Sequence, residues 1–331
     1  MITTEHDVVG IGNAIVDVIT QTDDAFIREH ALTKGTMAII DAAAAEELYR
    51  KKGSSIEISG GSAANTMAGI AGLGGGVAFV GKVGNDQLGD VFRHNICATG
   101  LNFDTVPVTN DIPTARCFIF VTPDGERTMQ TYLGACTELQ PEDVDTKLIV
   151  NSMVTYLEGY LWDPPGAKKA LVKAADVAGN AGQIVSLSLS DPFCVTRHRE
   201  ELLSFVQHRV NILFANEEEI QSLYLAETFD QAVRECRDLC DVLVLTGGST
   251  GSVIISSDNT YVINAEPVEK VVDTTGAGDA YAAGFLYGYT QGRELSACAR
   301  IGGICAGEVI THYGAQSEQD LSKLIRETLR L

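Results

Sequence analysis

The chain has 331 residues, 45% of them hydrophobic, with 33 glycines and a formal charge of −20 from 24 basic and 44 acidic side chains. Such length and apolar content suit a globular α/β protein with a large core and exclude intrinsic disorder. The excess of acid argues against nucleic acid partners, which need clustered Lys and Arg to displace counterions, yet a small phosphate can still be held by backbone N–H groups and an arginine or two.

In chain order, Met1 to His6 carry no secretory-signal pattern, and no later apolar run approaches membrane-spanning length. A first strand is expected over Asp7 to Ile11, ending in Gly12-Asn13. A mixed segment runs to about Ile40, followed by a helix over Ala42–Lys51. Gly60-Gly61-Ser62-Ala63-Ala64-Asn65 opens another helix, and a strand follows at Val77 to Val80. Residues 85–99 read as helix, with Asp86 and Asp90 near its start.

Between 103 and 133, Thr, Val and Phe alternate with polar residues, and turns are expected at Asn110-Asp111 and Pro123-Asp124-Gly125. That is an antiparallel hairpin signature. Strand-like runs at Met153–Leu157, Gln183–Leu189, Ile212–Ala215 and Val242–Leu245 then alternate with helical patterns. Alternation at this spacing implies a parallel sheet covered by helices on both faces. The predicted fold is α/β: a doubly wound, mostly parallel sheet flanked by helices, with a small β-sheet lid. The large domain takes 1–12, 41–103 and 135–331, and the lid about 13–40 and 104–134. Ligands of open parallel sheets bind beyond the carboxyl ends of the strands, where such a flap can close over them.

The eight cysteines show no C-x-x-C pair and no metal-type spacing, so they read as small buried residues of a reduced, cytoplasmic protein. His94, His198, His208 and His312 likewise lack ligand spacing. The chemistry concentrates in Asp273-Thr274-Thr275-Gly276-Ala277-Gly278-Asp279 and the small-residue helix after it. Unpaired N–H groups of a glycine-opened first turn can hold an anion such as phosphate, and an aspartate beside them can accept the proton of an attacking hydroxyl. Alone, the triplet reads equally well as a turn capped by Asp273 or Asp279.

Four further segments are each weak singly. Gly60 to Asn65 can bring backbone and an amide to a ligand, or form a plain turn. Asp17 can accept two hydrogen bonds from a diol, or sit solvated in a loop. Asn216-Glu217-Glu218-Glu219 can hold Mg²⁺ through hard oxygens or simply cap a helix. Thr246-Gly247-Gly248-Ser249-Thr250-Gly251 can pass beside a nucleotide or turn a hairpin.

In order and spacing, Gly60–Asn65, Gly84-Asn85-Asp86-Gln87-Leu88-Gly89 and Asp273–Asp279 resemble the PfkB (ribokinase-like) family of carbohydrate and nucleoside kinases over nearly the whole chain. Gly12-Asn13 through Asp17, and Arg127 through Leu133, resemble its adenosine-kinase branch. The resemblance implies that Asp279 is the general base and that Gly276, Ala277 and Gly278 hold the transferring phosphate. It places Arg127 near the phosphates, and Asp17, Asn13, Gly60, Gly61 and Asn65 around the acceptor's hydroxyls. Leu133, Tyr160 and Phe193 fall where that branch contacts the base, although each reads alone as ordinary packing. Asn216, Thr246, Gly248, Gly251 and Thr275 lie on the ATP side, Glu219 organises hydrated Mg²⁺, and Asp273, Thr275 and the Gly314 region match a K⁺ site of some relatives.

Phosphorylation of adenosine at its 5′-hydroxyl is therefore the expectation. A ribokinase- or fructokinase-like sugar kinase and a non-catalytic nucleoside sensor stay open beside it. Expected partners are ATP and a small nucleoside or sugar, with no nucleic acid or membrane, in a monomer or homodimer.

Overall fold

Both faces of the central strands are apolar, which is the pattern of a sheet sandwiched between helix layers. The computed structural model describes residues 4–257 and 259–329, so the first three residues of the segment read as lacking a signal lie outside the described residues. The strands are β1 (His6–Ile11), β2 (Ile15–Gln21), β3 (Met37–Ile39), β4 (Ile56–Gly60), β5 (Val77–Val80), β6 (Ala115–Val121), β7 (Arg127–Tyr132), β8 (Ser152–Glu158), β9 (Ile184–Ser188), β10 (Ile212–Asn216), β11 (Val242–Thr246), β12 (Ser252–Ser256) and β13 (Asn259–Ile263). They form an eight-stranded sheet in the order β13-β12-β11-β10-β9-β8-β1-β5 and a five-stranded one in the order β3-β7-β6-β2-β4.

From β11 to β5 the large sheet is parallel, while β12 pairs antiparallel with β11 and β13 antiparallel with β12. The chain enters at β1, one strand in from an edge, and lays β5 outside it and β8 on its other side. Strand direction of travel therefore switches there, opening a crevice at the carboxyl ends. Val8, Tyr156 and Phe214 face Met67 of helix Ser62–Gly72 and Phe285 of helix Ala277–Thr290. Val9, Leu157 and Leu213 face the opposite layer, with Leu171 of helix Pro165–Asn180 and Leu202 of helix Pro192–Arg209. The helix after the glycine-rich turn is buried from Ala280 to Leu286. Its close neighbour is helix Leu295–Val309: a Cβ on Gly284 would stand 2.7 Å from the Ile301 carbonyl oxygen.

The small sheet departs from the sequence expectation in two ways. Its hairpin joins β6 to β7 through Pro123-Asp124-Gly125, as expected, but Asn110-Asp111 joins no strand pair. Pro107 and Pro113 flank that turn and lack the N–H groups a ladder needs. The segment makes only an isolated bridge from Val108 to Gly84. Second, β4 pairs with β2 (Ile58 opposite Asp17), so residues 56–60, placed with the large domain on sequence, complete the small sheet. A five-residue strand wedged between two helices carries little periodicity of its own, and its partner lies some forty residues upstream.

Phe285 is fully buried and meets Phe214 edge-on at 5.4 Å between centroids, clamping the glycine-started helix to the sheet. Phe285→Ala should therefore cost about 3–5 kcal/mol, read as a lowered urea midpoint with circular dichroism.

Candidate active site

The site lies along the carboxyl rim of the large sheet, where Glu158 pairs with Ser188 and Asn216 with Thr246. Helix Ala277–Thr290 points its amino end at this rim. Gly276, its N-cap, has φ 77°, and a Cβ there would stand 2.5 Å from that of Ala315, so only glycine fits. The Ala277 N–H closes the turn on the Thr274 carbonyl at 3.2 Å, which lowers its value as an anion donor. Gly278 borders open space, with nothing within 4 Å of where a Cβ would be. Of the three residues expected to hold phosphate, Gly278 offers the freest approach.

Asp279 follows in the same first turn, partly accessible at the bottom of the cleft. Its Oδ1 accepts from Ser62 Oγ at 2.6 Å and its Oδ2 from Asn65 Nδ2 at 3.2 Å. The positive end of a helix alone would keep this acid ionised and weakly basic. Burial wins instead and pushes it up to about 6, with the Ser62 and Asn65 bonds opposing. It is ionised at neutral pH and a better base than a solvated aspartate. Asn65, expected on substrate hydroxyls, is turned toward Asp279 and lies 3.4 Å from the Gln316 amide.

Asp17 projects from β2, and a Cβ on Gly60 would stand 2.5 Å from its carboxylate, so that glycine makes its room. Burial pushes Asp17 up to about 7, the Arg127 charge opposing and the Asp279 charge adding. The three groups therefore share one electrostatic neighbourhood. Gly61 has φ 101° and an equivalent Cβ 2.1 Å from the Asn13 carbonyl oxygen, which packs the first turn of helix Ser62–Gly72 onto the end of β1. Both ends meet on Glu158, which is 1% exposed: Oε1 accepts from Asn13 Nδ2 at 2.6 Å and Oε2 from Ala63 N–H at 2.9 Å. Burial pushes Glu158 up to about 7 against those bonds.

Beside the glycine turn opens a cavity of about 520 Å³ bordered by Thr246, Gly248, Gly251, Thr274, Ala277 and Gly278. Three of the five residues expected on the ATP side thus line it, while Asn216 and Thr275 do not. Asn216 caps helix Glu217–Tyr224, and Glu219 completes a reciprocal box, accepting from Asn216 N–H at 3.0 Å and Nδ2 at 2.8 Å. Glu219 is buried and pushed up to about 7 by that burial. No group of three or more His, Cys, Asp or Glu side chains among the described residues could cage a metal. Such a donor set fits an ion carried mainly by phosphates and water, with Glu219 as an outer anchor through its remaining lone pairs.

Arg127, at the start of β7, donates to the Asp273 carboxylate and to Thr275 Oγ1 at 3.0 Å, beside the glycine turn. Tyr160 is 38% exposed, and burial of its hydroxyl end, with the charges of Asp191, Glu158 and Asp279 adding, holds its phenol above the ordinary range. Phe193 is 73% exposed in the first turn of its helix, and Leu133 is half-buried beyond β7. Sequence reasoning missed Ser62, Glu158 and Gln316. The visible signal for Glu158 was a lone acid closing an otherwise apolar strand. Gln316, which donates to the Ser59 carbonyl at 2.8 Å, left none.

Residues 32–321 match the model of the pfkB family carbohydrate kinases. The adenosine kinase of Saccharomyces cerevisiae is 27% identical over 328 residues, 92% of this chain and 94% of that one. The solved adenosine kinase of Sinorhizobium meliloti is 48% identical with a TM-score of 0.90, covering 98% of this chain and 99% of its own. A Rhizobium etli structure described as a "probable sugar kinase protein" is 47% identical with a TM-score of 0.92, covering 99% and 100%. Structural likeness alone thus leaves two acceptor descriptions at equal distance.

Asp17, Glu158, Glu219 and Asp279 all lie above the ordinary carboxylate value of about 4. The folded chain therefore binds protons the unfolded chain has already lost, and stability falls as pH rises from about 4 through about 7. Thermal melts of the ligand-free protein should show that decline. Glu158→Gln should flatten it, and should raise KM for the acceptor because a glutamine NH₂ would confront the donors of Asn13 or Ala63. In activity, kcat/KM should fall below about pH 6, and Ser62→Ala should move that limb to higher pH.

Proposed function

We propose that this chain, which belongs to the pfkB family of carbohydrate kinases, transfers the γ-phosphate of ATP to the 5′-hydroxyl of adenosine. Membership makes it an ATP-using phosphotransferase acting on a hydroxyl group. The observation that carries the residue assignments is Asp279: a raised carboxylate in the same helical turn as the open Gly278 amide, within electrostatic reach of Asp17. Phosphoryl transfer needs alignment and charge stabilisation more than covalent participation. Asp279 Oδ accepts the proton of the acceptor hydroxyl as the oxygen bonds to phosphorus. Gly278 and its neighbours receive the phosphate's negative oxygens at the positive end of the helix.

Asp17 accepts from the vicinal hydroxyls of the ribose, and the Glu158 bonds hold Asn13 and the glycine-opened helix around it. Thr246, Gly248 and Gly251 border the donor nucleotide in the adjoining cavity. Magnesium would neutralise phosphate charge there, with Glu219 steadying its water shell. Potassium is less favoured, because Arg127 already balances the Asp273 carboxylate that a monovalent cation would share.

Tyr160 and Phe193 supply accessible aromatic surface for a base, which favours a nucleoside over a free sugar. The likeness to the Rhizobium etli structure keeps a sugar acceptor as the second reading. A coupled ADP-release assay with adenosine, ribose and fructose separates them: adenosine should give the lowest KM, and preference for a free sugar would replace the nucleoside reading. Asp279→Asn should still bind ATP while turnover drops about 10²–10⁴-fold. Ligand binding without ADP from any acceptor would identify a sensor.

A further inference from the structure

Arg127 and Asp273 come from different sheets' worth of structure. Arg127 begins β7 in the small sheet, whereas Asp273 stands in the loop between β13 and the helix of the anion hole. Their side chains keep only 10% and 6% of their exposure. Charges so far from water persist only when paired and hydrogen-bonded. Both oxygens of Asp273 are engaged: besides Arg127 it accepts the N–H of Thr275 at 3.0 Å and of Gly314 at 3.1 Å. Arg127 keeps a donor in reserve, since its buried Nε–H has no partner among the described residues. A buried donor left unpaired beside a phosphate site points to an acceptor that arrives with the ligand.

We propose that Asp273 is a positioning residue for phosphoryl transfer: its carboxylate anchors one arm of the Arg127 guanidinium at the anion hole, so that the remaining N–H groups meet the transferring phosphate. Guanidinium geometry suits this division, because the fork is rigid and fixing one nitrogen aims the others. The anchor also ties the β6–β7 hairpin to the glycine turn, so seating of the small sheet and completion of the phosphate site are one event. The proposal rests on the kinase reading for its effect on turnover, but not for its effect on nucleotide binding. The competing role for Asp273 is purely local, shaping the turn through the Thr275 and Gly314 amides.

Asp273→Asn separates the two roles, because the amide oxygen still accepts N–H bonds while the charge is gone. It is combined with Arg127→Gln in a double-mutant cycle. If the anchor operates, each single variant loses roughly 10²-fold in kcat, KM for the acceptor stays put, and the double variant is no slower than R127Q alone. Losses that multiply, or D273N turning over at the wild-type rate, would overturn the proposal. If the wild type releases no ADP with any acceptor, the kinase reading has failed, and the same cycle is then read in the affinity for a non-hydrolysable ATP analogue. There the double variant should bind no more weakly than R127Q. Asp273→Ser, whose hydroxyl can still accept an amide bond, replaces D273N if melting shows that variant unfolded.

Discussion

A carboxylate crowded into the first turn of an apolar helix, and held by two neighbouring hydrogen bonds, sets the terms for the rest of the molecule. Asp279 loses more to desolvation than it regains from Ser62 and Asn65, which is why it stands near 6. Those two partners sit on the helix opened by Gly60-Gly61, so one hydrogen-bonded contact joins the candidate base to the element bordering Asp17. The positive end of the helix holds the pair of functions together: it eases the charge on the acid and, one residue earlier, leaves a glycine free to meet an anion. Neither function would survive if the helix slid by a turn. The packing against Phe214 and the close approach at Gly284 prevent that slide.

Much of the fold was legible because the signals were local. Helix Ala42–Lys51 and strand β5 stand where they were expected, and the strands from β8 to β11 differ from the sequence reading by about a residue at either end. Apolar runs of strand length between helical patterns specify a covered parallel sheet, and nothing elsewhere in the chain competes with that reading. The glycine-rich turn was legible for a different reason. A glycine forced to positive φ and a buried helix beyond it leave a mark in composition, and Gly276 bears both features out.

What was hidden depended on partners distant in sequence. β4 belongs to the small sheet only because Ile58 lies across from Asp17, a relation no short window contains. Glu158 reads as the end of a strand until Asn13 and Ala63, 145 and 95 residues away, are seen to converge on it. Glu219 shows the reverse ambiguity. Its motif was open to Mg²⁺ chemistry or to helix capping, and the structure gives both of its oxygens to a capping box. The two roles are compatible in lone pairs, but the capping role alone already accounts for the spacing.

The ligand-free cleft is electrostatically uncomfortable, and this bears on how substrate selection works. Burial raises Asp17 and Asp279 alike, and Asp17, Glu158 and Glu219 each feel the Asp279 charge as an added repulsion. Against these acids stands the buried guanidinium of Arg127, already engaged by Asp273. Under the proposed function, an acceptor that brings hydroxyl donors to Asp17 and a nucleotide whose phosphates draw Arg127 and a divalent ion would together relieve the crowding. A lone phosphate would not, because it adds charge without satisfying Asp17. On the proposed reading, discrimination for an alcohol together with a nucleotide follows from the arrangement of buried carboxylates. On the proposed nucleoside reading, choice between a nucleoside and a free sugar falls to the accessible aromatic surface of Tyr160 and Phe193, where burial of a base adds affinity.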